Sequence, residues 1–335
     1  MTTMRTTMTT NNNLYALYQK ALLSDIDNGS FRAVSIDESI PHRVGCTNDG
    51  FPMLFVECED TEKISDIKLS LFRVLFTRKC SIADIENKTV SEKIFTLIQM
   101  SSKDRELIAY FFQVVSIVMK RLPVRPKVSI LKEELSKIIE IFNSSRKFSK
   151  DLLKGLWAEL LIIERSSNPE YLIRAWHESP EDRYDFNDSR DKIEVKSTSG
   201  DYRSHVFSLE QLSPNDSSNL LVASVFVNAT GIGKNIFDLV DMISIKIKNT
   251  ECNLKLVEIV YKTIGPNVEE CLSTHFDYIF AVDNLRYYDS KVIPSIKKEA
   301  VPPFVSSVHF RSDLTEIPSV DVSDMDYNSM LFDSL

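Results

Sequence analysis

The sequence predicts an α/β core within a chain that is α+β overall, and three observations lead to this class. Residues 149–245 read as a helix, three strands, a short connection, a further strand and a helix, which is typical of a mixed sheet flanked by helices. Strand-like runs separated by Asn-Gly and Asn-Asp-Gly turns precede this region, and others follow it. With 335 residues, 43% of them hydrophobic and 26% charged, the chain is long enough for two or three domains.

The N-terminal part is predicted to be an α+β domain at 14–125 that mediates assembly, because it shows no cluster of catalytic residue types. Residues 1–13 are polar and low in complexity, which is typical of a disordered leader. Helical spacing of apolar residues marks 14–23 and 103–122. Strand-like runs lie between these two helices, at 31–36, 52–58, 67–76 and 93–100.

Residues 126–250 are predicted to form the core, with helices at 129–143, 149–165 and 235–245. The segment "TGIGKN" (230–235) lacks the spacing of a phosphate-binding loop, so we expect a turn that starts a helix. Residues 251–325 are predicted to be a β-rich extension, because "LVEIVY", "YIFAV" and "LRYYDS" are strand-like. Residues 326–335, rich in Asp and Ser, are expected to fray.

Charge and cysteine content restrict the function. The net charge of −8 excludes a global basic field, so any contact with DNA has to come from a local patch or a partner subunit. Five scattered cysteines without a CxxC pair predict reduced thiols in a cytoplasm and argue against zinc held by cysteines. The longest nearly apolar stretch, 108–119, is too short to span a bilayer, so no membrane role is expected.

The stretch "RYDFNDSRDKIEVKSTSG" (183–200) carries the candidate chemistry, with Asp185 before a turn and Glu194-Val195-Lys196 after it. Phosphodiester hydrolysis needs a divalent metal, an activated water and a cation that offsets charge. Asp185 and Glu194 would hold Mg²⁺ or Mn²⁺ if their strands are adjacent, and the Val195 carbonyl is a further possible ligand. Lys196 would point into the same site. Glu159 on the preceding helix is the remaining acid that can reach it.

Several of these residues have other readings. Glu194 and Lys196 could be an exposed charge pair of little energetic value. Asp185 competes with three other turn acids, Asp182, Asp188 and Asp191. Five residues are candidates for DNA contact: Ser197, Thr198, Arg203, His205 and Gln211. Of these, His205 reads more readily as a structural histidine, and Gln211 as either a site residue or a turn cap. Trp157 and Trp176 are expected to be core aromatic residues rather than base-stacking platforms.

These motifs resemble the PD-(D/E)XK superfamily of restriction-endonuclease-like nucleases. Asp185 and Glu194-Val195-Lys196 match its D…ExK motif, Tyr184 stands where the motif name has proline, and Glu159 matches the glutamate of the first core helix. Further stretches are similar to one bacterial family of this superfamily that occurs in phage-defence gene clusters: "GLWAELLIIER", "AWH" (175–177), "YDF", "IEVKSTSG", "HVFSLEQL" and the segment from "YIFAV" to "HFRSDL".

The resemblance implies a restriction-endonuclease-like core and a Mg²⁺-dependent deoxyribonuclease that works in a multi-subunit anti-phage system. It also implies an ATP-dependent, helicase-like partner. The near balance of charges around the site agrees with DNA binding that depends on another subunit. The alternative is a nuclease-derived scaffold that binds DNA or partner subunits without cutting.

Overall fold

The chain folds as two units, residues 1–141 and 142–335, in a computed structural model. The structure describes residues 12–24, 30–37, 39–68, 72–85, 89–143, 149–178, 182–213, 218–265, 267–324 and 328–335. Of the leader expected at 1–13, only the last two residues lie within these ranges, and they begin the first helix. No helix in these ranges is long and apolar enough to cross a bilayer.

The first unit combines helices with a six-stranded sheet. Its elements are α1 (Asn12–Leu22), β1 (Phe31–Asp37), β2 (Ile40–Cys46), β3 (Pro52–Val56), β4 (Ile67–Lys68), β5 (Phe72–Asp84), β6 (Thr89–Met100), α2 (Arg105–Arg121) and α3 (Val128–Asn143), which runs across the boundary at 141. The strand order is β1-β2-β3-β6-β5-β4, and β1 also pairs in parallel with β5, so five strands close into a ring. Alternate residues such as Met53, Phe55, Phe95 and Leu97 share one buried cluster, as the two-residue period of a strand requires.

Strand β2 was not predicted, because Pro41 and Gly45 lower its strand propensity. Gly45 is nevertheless required there. A Cβ at this position would lie 2.0 Å from the Arg32 carbonyl oxygen on the neighbouring strand, a distance that no side chain tolerates.

The second unit contains the predicted mixed sheet, in the order β13-β10-β8-β7. Its helices are α4 (Lys150–Arg165), α5 (Pro169–Ala175), α6 (Ile236–Lys246), α7 (Thr250–Ile264), α8 (Val268–Ser273), α9 (Tyr278–Asp283) and α10 (Met330–Asp333). Its strands are β7 (Phe186–Asn187), β8 (Lys192–Thr198), β9 (Ser204–Ser208), β10 (Leu220–Phe226), β11 (Ala229–Thr230), β12 (His275–Phe276), β13 (Arg286–Asp289) and β14 (His309–Asp313). Short 3-10 turns lie at Ser290–Val292, Lys298–Ala300 and Val322–Asp324.

Strands β8 and β10 are parallel, whereas β7 and β13 pair antiparallel at the two edges of this sheet. Helix α4 begins with a Ser149 cap, whose side chain accepts a hydrogen bond from the Leu152 N–H. The helix contacts β8 and α6. From Leu156 to Glu164 the helix is buried on nearly all sides, and Glu159 is the one residue of this run that is only partly buried.

The β-rich extension predicted at 251–325 differs from the structure. The strand-like runs at 256–261 and 278–282 lie in helices α7 and α9. In α7 the buried Leu256, Val260 and Ile264 recur every four residues, and the Asn249 side chain caps the helix by accepting from two backbone N–H groups. The predicted strand at 285–290 is present as β13. Because β13 pairs with β10, this part of the chain completes the core sheet and is not a separate extension.

The C-terminus, which was expected to fray, forms α10. Leu331 is fully buried, and Phe332 is 2% exposed. The Ser334 carbonyl oxygen accepts hydrogen bonds from the Ser166 hydroxyl and the Ser167 N–H, at the end of α4. Two apolar side chains among polar residues were enough to anchor this segment, although its composition is that of a frayed tail.

Candidate active site

The sheet brings Asp185 beside the Glu194–Lys196 segment. β7 pairs antiparallel with β8, with Phe186 opposite Ile193. Asp185, the residue before β7, therefore lies against the middle of β8, and its Oδ2 accepts a hydrogen bond from the Val195 N–H at 2.6 Å. The N–H and C=O of one strand residue point to the same edge, so the Val195 carbonyl faces the side on which Asp185 lies, as its predicted ligand role requires.

Three groups on one side of this segment could hold a metal ion. Glu159 on α4, His177 after α5 and Asp185 each offer one ligand atom, and these atoms lie within 4.8 Å of one another. The Glu159 Oε2 lies 3.0 Å from the His177 Nε2 and accepts a hydrogen bond from the Trp176 indole N–H at 2.7 Å. The His177 backbone N–H in turn donates to the Asp185 carbonyl oxygen at 2.9 Å.

Glu194, Lys196 and Gln211 form a second group next to the first. The Glu194 Oε1 accepts from the Lys196 ammonium at 2.8 Å and from the Gln211 amide at 2.6 Å. The Gln211 Oε1 accepts from Lys196 at 3.1 Å and from the Ser208 N–H at 3.1 Å. Gln211 thus connects the acid and the lysine. Of the two roles that the sequence left open for it, this contact corresponds to the site residue.

The site fits a cation by two observations. The Glu194 Oε2 is buried and has no hydrogen-bond partner in the described part of the chain, which is costly for a carboxylate oxygen. In addition, the pKa of Asp185 is raised well above its ordinary value, first by burial and then by the charges of Glu194 and Glu159. Burial also raises the pKa of Glu194, although Lys196 opposes the shift. A divalent cation among these crowded acids would relieve both costs.

The competing turn acids have other roles. Asp191 is fully buried and accepts hydrogen bonds from the Asn219 backbone and side chain. Asp188 accepts from the Tyr171 hydroxyl and from two backbone N–H groups of its own turn. Asp182 accepts from a backbone N–H in the preceding loop. Of the four acids in this stretch, the geometry favours Asp185 as the site residue.

Two of the five candidate DNA contacts lie in the interior. Arg203 is 7% exposed, donates to the Ser224 and Asn284 carbonyl oxygens, and lies over the Phe226 ring. His205 is 3% exposed, and its Nε2 lies 2.7 Å from the Ser224 hydroxyl. Both side chains therefore have little surface left for the expected DNA contact. Two further candidates, Ser197 and Thr198, lie on β8, where they follow Lys196 at the partly exposed end of the strand.

The buried His205 predicts a dependence of stability on pH. Burial, assisted by the charges of Lys196 and Arg203, lowers the pKa of His205 from 6.5 to about 4. Below about pH 6.5, His205 is protonated in the unfolded chain but stays neutral in the folded chain, so the free energy of unfolding falls as the pH falls. We expect the second unit to lose on the order of 3 kcal/mol between about pH 7 and about pH 4 through this group, since one pKa unit corresponds to about 1.4 kcal/mol.

Urea unfolding followed by tryptophan fluorescence measures this loss, because both tryptophans, Trp157 and Trp176, lie in the second unit. His205→Gln should flatten the slope of stability against pH. His42→Gln is the control. Burial also lowers the pKa of His42 to about 4, but this residue lies in the first unit, which contains neither tryptophan. An unchanged slope in His205→Gln would contradict the assignment.

His177 was not predicted as a site residue. The sequence shows it only as part of "AWH", a stretch that supports the family resemblance but indicates no chemical role for the histidine. Trp176 is a core residue as expected, 1% exposed and stacked on Phe186, but its indole N–H also holds Glu159. Trp157 is fully buried, and its indole N–H donates to the Lys234 carbonyl oxygen.

A mixed sheet in which one strand carries Glu194 and Lys196, the residue before the paired strand is Asp185, and a neighbouring helix supplies Glu159 is the arrangement expected of a nuclease-like core. Residues 14–315 match a family described as "Putative PD-(D/E)XK family member" (DUF4420). The match covers most of the chain, so the protein belongs to this family, and the resemblance inferred from the motifs is confirmed. No curated protein and no solved structure gives a significant match.

Proposed function

We propose that the protein is a divalent-metal-dependent endonuclease that hydrolyses DNA phosphodiester bonds as one component of a cytoplasmic, multi-subunit bacterial anti-phage system. The observation that carries this proposal is the convergence of Glu159, Asp185 and the Glu194–Lys196 pair at one edge of β8. Family membership supports the nuclease-like part of the proposal.

Glu159, His177 and Asp185 would hold the cation. Beside them lie the Val195 carbonyl and the Glu194 oxygen that has no hydrogen-bond partner among the described residues. Magnesium and manganese are the candidate ions. When bound, such an ion acidifies a coordinated water and offsets the negative charge of a phosphate.

The protein's own groups would do the remaining work. The Lys196 ammonium is held by Glu194 and Gln211, so its position next to the acids is fixed before substrate arrives. There it can orient the attacking water or stabilise the charge that develops on a phosphate oxygen. Ser197 and Thr198, which follow on the same strand, are placed to contact the DNA backbone.

The test is cleavage of plasmid DNA with Mg²⁺ or Mn²⁺, by the chain alone and with the products of neighbouring genes, together with a phage plating assay. We expect cleavage to require the metal and to fall at least about tenfold in Glu194→Gln, because the amide can neither pair with Lys196 as an anion nor assist a cation. Glu164→Gln is the matched control, since Glu164 is also 4% exposed and pairs with a lysine, Lys246, at 2.7 Å. Equal cleavage and protection in Glu194→Gln would contradict the proposal.

A second candidate function is a nuclease-derived scaffold that binds DNA or partner subunits without cutting. It is favoured by the fact that the Glu194 Oε1 is already engaged by both Lys196 and Gln211. Calorimetry separates the two functions. Absence of Mn²⁺ binding that depends on Asp185, in a chain still needed for assembly of the defence complex, would support the scaffold.

In either case, the net charge of −8 favours DNA binding that depends on another subunit. A partner that binds DNA by itself, such as an ATP-dependent helicase-like subunit, would supply it. The first unit, whose described residues contain no group of three potential metal ligands, is our proposed attachment point for such partners.

A further inference from the structure

The candidate metal site contains an imidazole nitrogen among its oxygens, and this nitrogen lies at a ligand-like separation from one of them. The His177 Nε2 and the Glu159 Oε2 are 3.0 Å apart. Two adjacent ligands of an octahedral ion, each about 2.1 Å from the metal and at right angles, are about 3.0 Å apart. In the absence of an ion, the same spacing lets a protonated imidazole nitrogen donate a hydrogen bond to the carboxylate.

The immediate surroundings hold His177 and Glu159 together. The His177 backbone is tied to the Asp185 carbonyl oxygen, and its ring meets Trp176 edge-on. The Trp176 indole N–H donates to Glu159. Side-chain exposure is 14% for His177 and 13% for Glu159, so both groups are nearly enclosed but can be reached by an ion.

A second, independent observation points to a cation at this place. The neighbouring Glu194 side chain is 4% exposed and has an oxygen without a hydrogen-bond partner in the described residues. Lys196 and Gln211 engage only the other oxygen of this carboxylate, Oε1, and a buried acceptor without a partner is costly. The site therefore offers two carboxylate donors, Glu159 and Asp185, and one nitrogen donor, with the Glu194 carboxylate close enough to interact electrostatically with both acids.

We propose that His177 is a metal ligand and that the site is selective for a first-row transition metal ion, with Mn²⁺ as the accessible probe, over Mg²⁺. Magnesium takes oxygen ligands almost exclusively, whereas an imidazole nitrogen contributes to the binding of transition metals. This selectivity refines the proposed function and rests on it, because it presupposes that the site binds a divalent cation. It predicts that Mn²⁺ binds about tenfold or more tightly than Mg²⁺.

The experiment uses the full chain and does not measure cleavage. Titration calorimetry compares Mn²⁺ with Mg²⁺, and electron spin echo spectroscopy of bound Mn²⁺ looks for modulation by a directly coordinated ¹⁴N. We expect one such nitrogen in the wild type. In His177→Asp, which keeps a ligand but makes it oxygen, we expect the nitrogen signal to be lost and the preference for Mn²⁺ to fall. His309→Asp is the control, because His309 is an exposed histidine at the start of β14.

The outcomes separate this inference from the proposed function. Bound Mn²⁺ without a ¹⁴N signal, or with a signal that survives in His177→Asp, would overturn the inference and leave the nuclease proposal intact. A His177-dependent signal in a chain that never cleaves DNA would support the inference and count against the nuclease. Absence of any bound cation would overturn both.

Discussion

Replacing Lys196 with methionine should lower the rate of DNA cleavage by about 100-fold or more, while Mn²⁺ binding stays nearly unchanged. Removing one preorganised group that stabilises transition-state charge costs about 10²–10³ in rate in other enzymes. Lys196 is placed for this role, since its ammonium is fixed at 2.8 Å from Glu194 and 3.1 Å from Gln211. It is not a metal ligand, so the variant separates the chemical step from cation binding. Single-turnover cleavage and calorimetry measure the two quantities.

Lys154→Met is the matched control for this experiment. Lys154 is 23% exposed, close to the 18% of Lys196, and its ammonium donates to the Ser199 hydroxyl beyond the end of β8. We expect its cleavage rate to stay within about threefold of the wild type, because surface groups away from the reacting atoms contribute little. Equal losses in the two variants would mean that Lys196 acts only through general electrostatics or folding.

Trp157→Ala should lower the free energy of unfolding of the second unit by about 3–5 kcal/mol, the cost of removing a large buried aromatic side chain. Trp157 is fully buried, packs against Phe276 at 5.3 Å between ring centroids, and donates its indole N–H to the Lys234 carbonyl oxygen. It also lies two residues before Glu159 on α4, so its loss should loosen the site. Urea unfolding followed by the fluorescence of the remaining Trp176 measures the effect.

Two variants bracket this prediction. Trp157→Phe keeps most of the apolar contact but loses the indole hydrogen bond, so a smaller loss of about 1–2 kcal/mol is expected. Phe304→Ala removes a fully exposed ring and should change stability by less than about 0.5 kcal/mol. If Trp157→Ala loses no more than Phe304→Ala, the described packing of α4 is incorrect.

Much of the second unit was predictable because its signals are local. The apolar spacing in α4 and the continuous apolar run of β10 each predict one kind of element, and both elements are buried in the core. Helix α7 was not predictable in this way. Its Val257, Ile259 and Val260 are β-branched and resemble a strand over six residues. The Asn249 cap and the four-residue spacing of buried positions identify a helix, but they become visible only over the whole of Thr250–Ile264.

The sequence was sufficient to predict which candidate site residues come together when they lie on one short segment. It was insufficient for residues that only the tertiary fold brings to that segment. Asp185, Glu194 and Lys196 lie within a single turn and strand, so pairing of adjacent strands brings them together. His177 approaches Glu159 only because α5 ends where it does and Trp176 stacks on Phe186. The connection made by Gln211 likewise depends on a turn after β9 whose geometry no local pattern predicts.

Anomalous diffraction from crystals of the protein soaked in MnCl₂ would show whether Asp185 and Glu159 hold one cation between them. We expect a manganese peak within about 2.3 Å of ligand atoms of both Asp185 and Glu159, and no such peak in crystals of Asp185→Asn. Crystals in which the two carboxyl groups have the described positions but no manganese lies between them would contradict this expectation.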